Sequence, residues 1–420
     1  MERRLIWQIG IRYLRGKRSL NAVPVLSRIS MVAIGVVSAA MIITFSVFNG
    51  FDSEVKSLYK AFYPDIRITP AKGKFFPEAA ISLADLQKIK GVEGVAPVIE
   101  DNALAGDLEL SGSANRQKVV TVKGIQNNYF KVNDVTSFID AGEDSVSETK
   151  SDGKLITAVS GRGITLDLGA DINNVFSAIM LYYPNPTISN PELDPINAYQ
   201  SLKLHPSGMF TIGNEFDDKY ILAPLAKVQQ LFHAEGMYSS IDLKTEPASA
   251  KDIQQVLRQK LGSQFVVETR FEQNKTVYMM VAAEKWVTYV ILVFVLMIAS
   301  FNMIGALSML VIEKKKDIAI LMAMGAERTS IRNIFLLEGV LWACIGGLSG
   351  LFIGSVISLI QQQFGIIKLQ GAFVVDAYPV KVAVTDILMV LVTIIAVGLM
   401  AGWYPAQRAA KSAGLNLKST

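Results

Sequence analysis

Four long stretches of this chain carry no Asp, Glu, Lys or Arg: Ile29–Phe51, Trp286–Ile312, Gly339–Ile367 and Ile387–Gln407. Each exceeds the roughly 20 residues that an α-helix needs to cross a bilayer core. Helices inside soluble cores average about 11–12 residues, so four buried core helices do not account for these runs. The pattern predicts an integral membrane α-helical protein. It would have four transmembrane helices and a large extracytoplasmic α+β domain inserted between helices 1 and 2. The composition agrees: 51% hydrophobic and 19% charged residues, with a mean hydropathy of +0.34, are too apolar for an ordinary soluble domain of this length.

Charge predicts orientation. Residues 1–28 hold seven basic residues (Arg3, Arg4, Arg12, Arg15, Lys17, Arg18 and Arg28) against Glu2 alone. Lys314, Lys315, Lys316, Arg328 and Arg332 follow the second run, and Arg408, Lys411 and Lys418 follow the fourth. Basic segments of this kind stay on the cytoplasmic side. Residues 49–285 contain 24 basic and 30 acidic residues, with no positive bias, and belong on the other side. The layout is a cytoplasmic N-terminus (1–28), TM1 (29–51), a periplasmic domain (52–285), TM2 (286–312) and a cytoplasmic coupling segment (313–338). TM3 (339–361), a short periplasmic loop (362–385), TM4 (386–405) and a cytoplasmic tail (406–420) follow. The first run is longer than a typical signal-peptide core and ends in Phe48-Asn49-Gly50-Phe51 without a small-x-small site, so it reads as an uncleaved signal-anchor. The only cysteine, Cys344, lies in the third run, so the outer domain has to fold without a disulfide.

Within the outer domain, Asp52–Phe62 and Phe271–Ala283 extend the first two spans as a helical stalk, the former with Val55, Leu58, Tyr59 and Phe62 on one face. Asp65–Thr69, Val95–Ile99, Asn102–Leu110, Lys118–Lys123, Lys219–Leu222, Tyr238–Leu243 and Phe265–Glu268 read as strands. Ser82 caps a helix to Lys90, Pro224 opens one to Phe232, and Ala248–Leu261 forms a third. Gly112-Ser113 marks a turn. Strand-helix-strand units at both ends predict one α/β subdomain from which a β-rich insertion, about 103–215, projects. Tyr182, Tyr183, Pro184 and Pro186, with Pro191 and Pro195 beyond, predict an exposed rigid loop, either a plain connector or a docking tip for a carrier.

Signals for catalysis are absent. No phosphate-loop motif occurs, and His205 (before Pro206, in a loop) and His233 have no partner at metal-ligand spacing. The expectation is a non-enzyme with no metal and no cofactor in this chain. Two other patterns stand out. Gly346, Gly350 and Gly354 recur every fourth residue, a small-residue face on which another helix can approach closely. Glu313–Gly325 reads as a short helix stopped by Gly325, with Ile318, Leu321 and Met322 as a water-side apolar face that needs either a partner protein or the membrane surface. Thr329 is placed to cap the next helix.

That connection, EKKKDIAILMAMGAERTSIRNIFLLEG (Glu313–Gly339), resembles the segment between the second and third spans in permeases of type VII ABC systems, the FtsX/MacB-like superfamily. IGIRYLRGKR, SGMFTIGNEFDDKYILAPLAKVQQLF (Ser207–Phe232), VDAYPV (Val375–Val380) and WYPAQRAA (Trp403–Ala410) are similar to lipoprotein-releasing permeases of the LolC/LolE type. The resemblance implies a permease that extracts lipoproteins from the outer leaflet of the inner membrane for a periplasmic carrier. ATP and Mg would be bound by a separate ABC ATPase, and a second permease, identical or paralogous, would complete the pair. Coupling to the ATPase would run through Glu313, Lys315, Asp317, Ile318, Leu321, Met322 and Gly325. Met41, Phe45, Phe48, Val290 and Phe294 would either line a lipid path or face bulk lipid. The alternative within the superfamily is another cargo, a peptide or drug, or mechanotransmission to a periplasmic partner.

Overall fold

The computed structural model describes residues 22–107, 116–148, 155–174, 176–185, 198–246, 249–369 and 377–412. The basic residues before position 22, Lys418, the turn at Gly112-Ser113, and Pro186, Pro191 and Pro195 lie outside them. The chain divides into two compact units, one built chiefly from Val55–Tyr278 and the other from the segments on either side.

In the first unit, β1 (Ile66–Pro70), helix α2 (Leu83–Gln87) and β2 (Val92–Asp107) form one strand-helix-strand element. Strand β1 forms because Ile66 and Ile68 alternate inward, both fully buried. Ser82 caps α2 by accepting from the Asp85 amide. Near the other end of the unit, β9 (Ser240–Thr245), α4 (Ala250–Leu261) and β10 (Phe265–Thr269) repeat the element. In α4, Ile253 and Leu257 sit one turn apart and are buried, and Gly262 ends the helix at a φ of +64°. The four strands lie in the order β10-β1-β9-β2, all antiparallel, a split pair of strand-helix-strand units.

The intervening chain supplies β3 (Gln117–Ile125), β4 (Ile139–Gly142), β5 (Thr157–Gly161), β6 (Ile179–Pro184), β7 (Tyr199–Phe210) and β8 (Tyr220–Pro224), followed by α3 (Leu225–Leu231). Their pairings close on themselves: β2 with β3, β3 with β8, β8 with β5, β5 with β7, β7 with β6 and β6 back to β2. The result is a six-stranded ring that shares β2 with the four-stranded sheet. The β-rich part expected at about 103–215 thus shares β2 with the α/β subdomain and takes in β8 beyond it. Residues 95–99 and 102–110 were expected as two strands; 92–107 is one strand serving both sheets. Its first half pairs with β9 and its second half with β3 and β6. One apolar core runs through both parts, from Ile66 and Leu243 to Val120, Leu181 and Leu204.

The other unit is helical. Helix α1 spans Ala22–Phe62, α5 Lys275–Glu313, α6 Lys315–Ala323, α7 Arg328–Phe364 and α8 Val384–Ser412. Of these, α1, α5, α7 and α8 are long and apolar enough to cross a membrane. The helices outrun the uncharged stretches because polar residues such as Asp52–Lys60 continue the backbone hydrogen-bond ladder where a bilayer core ends.

Candidate functional site

The connection between α5 and α7 is a tight helical hairpin. Lys314 interrupts the ladder and opens α6, with Lys314 and Asp317 paired at 3.3 Å. At its far end the Ala326 amide donates to Leu321 O and the Gly325 amide to Met322 O, both at 3.0 Å. That double closure is a Schellman motif, and it needs the φ of +90° that Gly325 supplies. Helix α7 then starts from Glu327, whose carboxylate accepts from Thr329; the cap is two residues earlier than the expected Thr329.

The apolar face of α6 also needs correction. Ile318 is buried, and Leu321 and Met322 pack against the bundle core to which Val311, Ile331 and Phe335 belong. The side facing away carries Lys316, Ala319, Ile320, Ala323 and Met324, with Ile320 59% and Met324 80% exposed. Helix α6 is apolar on two stripes; the chain's own bundle takes one and leaves the other bare. Glu313 and Lys315 are exposed and Asp317 half-buried.

The glycines of α7 bring backbones together. A methyl on Gly346 would lie 2.3 Å from Met31 O, on Gly350 2.0 Å from Gly35 O, and on Gly354 2.8 Å from Ala39 O. Helix α1 thus runs along this stripe for more than two turns. On another side of α7, Gly347 meets Ile394 and Gly339 meets the Cα of Gly402, which seats α8. Helix α7 is the centre of this packing.

The residues expected to line a lipid path divide. Met41 and Phe45 are fully buried in the bundle core, so they do not face an open path in this conformation. Phe48 is half-buried, while Val290 and Phe294 are about three-fifths exposed on α5. Sequence cannot distinguish these fates, because helix packing and lipid contact select the same side chains.

The Tyr-Pro segment is a strand for its first half. Tyr182, Tyr183 and Pro184 lie in β6, paired with β7, and Tyr182 also pairs with Leu104. Pro184 is accommodated because β2 no longer flanks the strand there, so no ladder donor is lost on that side. Tyr183 packs on Phe232 and donates to Asp101 at 2.8 Å; burial and that carboxylate push its hydroxyl up to about 12. Tyr182, Pro184, Val119 and Tyr199 line a shallow cavity of about 430 Å³ on the ring. Likewise, His205 and Pro206 lie in β7 rather than a loop, where a register shift opposite Ala158 and Val159 accommodates the proline.

Two buried polar clusters were not expected. In the first unit Arg67 pairs with Asp242 through two hydrogen bonds, 2.9 and 3.1 Å, and Lys123 faces Glu100 at 3.1 Å and the ring of Phe62 at 4.5 Å. Burial opposes ionisation of Glu100, but Lys123 and Arg67 outweigh it and hold the carboxyl at about 2. Burial acts on Lys123 in the opposite sense and lowers it. The acid titration belongs to Glu100, which faces two cations. In the helical unit Lys285 of α5, Asp386 of α8 and Asn49 of α1 meet. Lys285 and Asp386 read in sequence as ordinary charged ends of apolar runs; only the packing joins them.

With this geometry in place, the chain was compared with known proteins. Residues 289–413 match the FtsX-like permease C-terminal family and residues 27–164 the MacB-like periplasmic core domain. The chain is 26% identical over 419 residues to the lipoprotein-releasing system transmembrane protein LolE of Haemophilus influenzae. It is 26% identical over 416 residues to LolC of Xylella fastidiosa, with 96% of both chains covered in each case. Among solved structures, the periplasmic region of MacB from Actinobacillus actinomycetemcomitans aligns with a TM-score of 0.35 at 12% identity, covering 52% of this chain and 94% of that one. Four helices long and apolar enough to cross a membrane, a match to the MacB-like periplasmic core domain and an FtsX-like permease C-terminal match give this chain the make-up of the FtsX/MacB-like superfamily, and along its length it is similar to lipoprotein-releasing transmembrane proteins of the LolC/LolE type.

Proposed function

We propose that this chain is the permease subunit of an ATP-driven transporter that lifts lipoproteins out of the outer leaflet of a bacterial inner membrane and passes them to a soluble periplasmic carrier. The observation that carries this reading is colinear similarity, over 96% of both chains, to transmembrane proteins of lipoprotein-releasing systems. The basic segments before α1, at the α5–α7 hairpin and after α8 support cytoplasmic termini and a cytoplasmic hairpin. Moving acyl chains from bilayer into water is unfavourable by about 0.8 kcal/mol per methylene, so the work needs an external source. On this reading a separate subunit hydrolyses ATP, in keeping with a sequence that carries no phosphate-loop motif.

The bare stripe of α6 is the surface for that subunit. Ile320 and Met324 offer an apolar contact that the bundle does not use, and Lys315 and Lys316 flank it. Because Ile318, Leu321 and Met322 are rooted in the bundle, a push on the outer stripe is transmitted to α5 and α7 rather than dissipated in a loose loop. Helices α1 and α5, 41 and 39 residues long, carry the displacement toward the periplasmic domain, which receives the cargo. A second permease, identical or paralogous, completes the pair.

The test is purification of the tagged chain from its native membrane in mild detergent, with mass spectrometry of what accompanies it. A roughly stoichiometric Walker-type ATPase, a second permease and triacylated lipoprotein are the expected companions. Ile320→Asp and Met324→Asp should each lose the ATPase while the thermal unfolding of the permease stays unchanged. A wild-type preparation without an ATPase, under conditions where a known ABC complex survives, contradicts the reading.

A further inference from the structure

We infer that Lys285, Asp386 and Asn49 form a latch that holds the first half of α5 against α1 and α8, and that the transport cycle opens it. The role in a cycle rests on the permease reading above; the latch itself is a statement about three helices.

The contacts are mutual. The Lys285 ammonium donates to Asn49 Oδ1 at 2.8 Å and to both Asp386 carboxylate oxygens at 3.0 and 3.2 Å. Asn49 Nδ2 donates to Asp386 Oδ2 at 2.6 Å and to Lys381 O at 3.2 Å. Lys285 also lies 5.6 Å from the centre of the Phe45 ring. The Asp386 side chain is 9% exposed and that of Lys285 30%. Removing either partner leaves a charge where water solvates it poorly. Charged side chains beside a bilayer core are rare and tend to be retained for function.

The latch matters because the rest of this part of α5 is packed only in part, through half-buried Tyr289, Leu292 and Val293 against the bundle core. No residue of α5 before Leu296 is buried. Beyond that point Leu296, Met303, Leu307 and Val311 enter the bundle core. The first half is tied in addition by the Lys285 cluster and, one turn on, by a 2.8 Å hydrogen bond between the Tyr289 and Thr393 hydroxyls. Trp286, Val290 and Phe294 on the same half are more than half exposed. Helix α7, by contrast, is fixed to α1 by glycine contacts in which a single methyl has no room. An interdigitated interface of that kind resists sliding, whereas a polar cluster can open and re-form as a discrete step. Helix α5 also leads directly into α6, so it is the element on which a displacement of the hairpin arrives first. Glu338, another buried carboxylate of the described helices, accepts from Trp342 on its own helix at 2.9 Å and has no such bridging role.

The experiment uses the full-length chain in lipid nanodiscs with Cys344→Ser and spin labels on Glu284→Cys and Val384→Cys, both exposed positions. Distances between labels are read by pulsed electron resonance without cargo or nucleotide. Wild type should give one narrow distribution. Lys285→Met and Asp386→Asn should each broaden it and shift it outward. Lys285→Arg, which keeps the pair, controls for folding, and the exchange Lys285→Asp with Asp386→Lys should recover the narrow distribution. In the complex with its ATPase, Asp386→Asn should raise cargo-independent ATP turnover by roughly tenfold, the population shift expected from one partly screened buried pair. Unchanged distributions in both single variants overturn the latch. Widened distributions with unaltered ATP turnover make it a static brace and overturn its place in the cycle. A complex that moves no lipoprotein while the labels still respond refutes the cargo reading and leaves the latch standing.

Discussion

The two units solve the same problem in opposite ways. The Val55–Tyr278 unit encloses charge: Arg67, Lys123, Glu100 and Asp242 are paired beneath aromatic rings, and the β-ring closes around an aliphatic core. The helical unit largely excludes charge, and its tightest contacts are backbone against backbone along α1, α7 and α8. Where water drives association, a buried ion pair has to be offset by apolar burial around it. Where lipid surrounds the helices, apolar side chains gain nothing by meeting each other, and small residues that admit close van der Waals contact become the adhesive. The polar cluster at Lys285 stands out because it places the first unit's device in the second unit's surroundings.

The comparison is broken most severely at the glycines. Gly350→Leu puts a side chain where even a methyl would lie 2.0 Å from Gly35 O. It should prevent recovery of folded protein, read as loss of the monodisperse peak in detergent. Gly305→Ala, where a methyl meets nothing within 4 Å, should leave that peak intact. In the outer unit, Ile66→Ala removes a fully buried side chain and should lower stability by about 3 kcal/mol, measured by denaturant titration followed by circular dichroism. Glu100→Gln leaves Lys123 buried beside Arg67 without its anion and should cost about 2 kcal/mol; adding Lys123→Met should recover part of that loss. At the small end, Lys88→Ala removes an exposed pair with Asp85 and should leave the denaturation midpoint unchanged.

Acid sharpens the contrast. Burial works against the Glu100 charge, but its two cations hold the carboxyl at about 2, below its ordinary value of 4.5. A carboxyl depressed in the folded state contributes its stabilisation above the unfolded value and loses it as pH falls toward the folded one. The outer unit should therefore weaken between about pH 4.5 and 2. All four tryptophans, Trp7, Trp286, Trp342 and Trp403, lie outside residues 55–278. Tryptophan emission should consequently lag the loss of β-sheet circular dichroism in this window, and Glu100→Gln should flatten the early transition.

Much of the architecture was legible because a bilayer writes itself into sequence as length without charge. The span count and the position of the outer domain follow from four runs, and Ile66 with Ile68 gives away a strand by alternation alone. What was hidden depended on partners far away in the chain. Strand β2 looked like two strands because Glu100 and Asp101 interrupt its apolar pattern, and only pairing with β9, β3 and β6 explains its length. Pro184 argued against a strand until its unpaired flank was visible. Helix α6 shows the limit most clearly: the segment was identified, but apolar residues at 318, 320, 321, 322 and 324 describe two stripes, and the bundle determines which is free. The latch left no local signature, since Asn49, Lys285 and Asp386 are separated by more than 100 residues at each step.

The most direct measurement of the central claim is ATP-dependent release of a triacylated lipoprotein from proteoliposomes containing the purified complex of this permease with its ATPase. The account predicts that lipoprotein leaves the bilayer for a soluble acceptor only with hydrolysable ATP, and that Ile320→Asp abolishes release while the permease remains folded. Robust ATP hydrolysis by the complex with no lipoprotein leaving the bilayer under any nucleotide condition would contradict it.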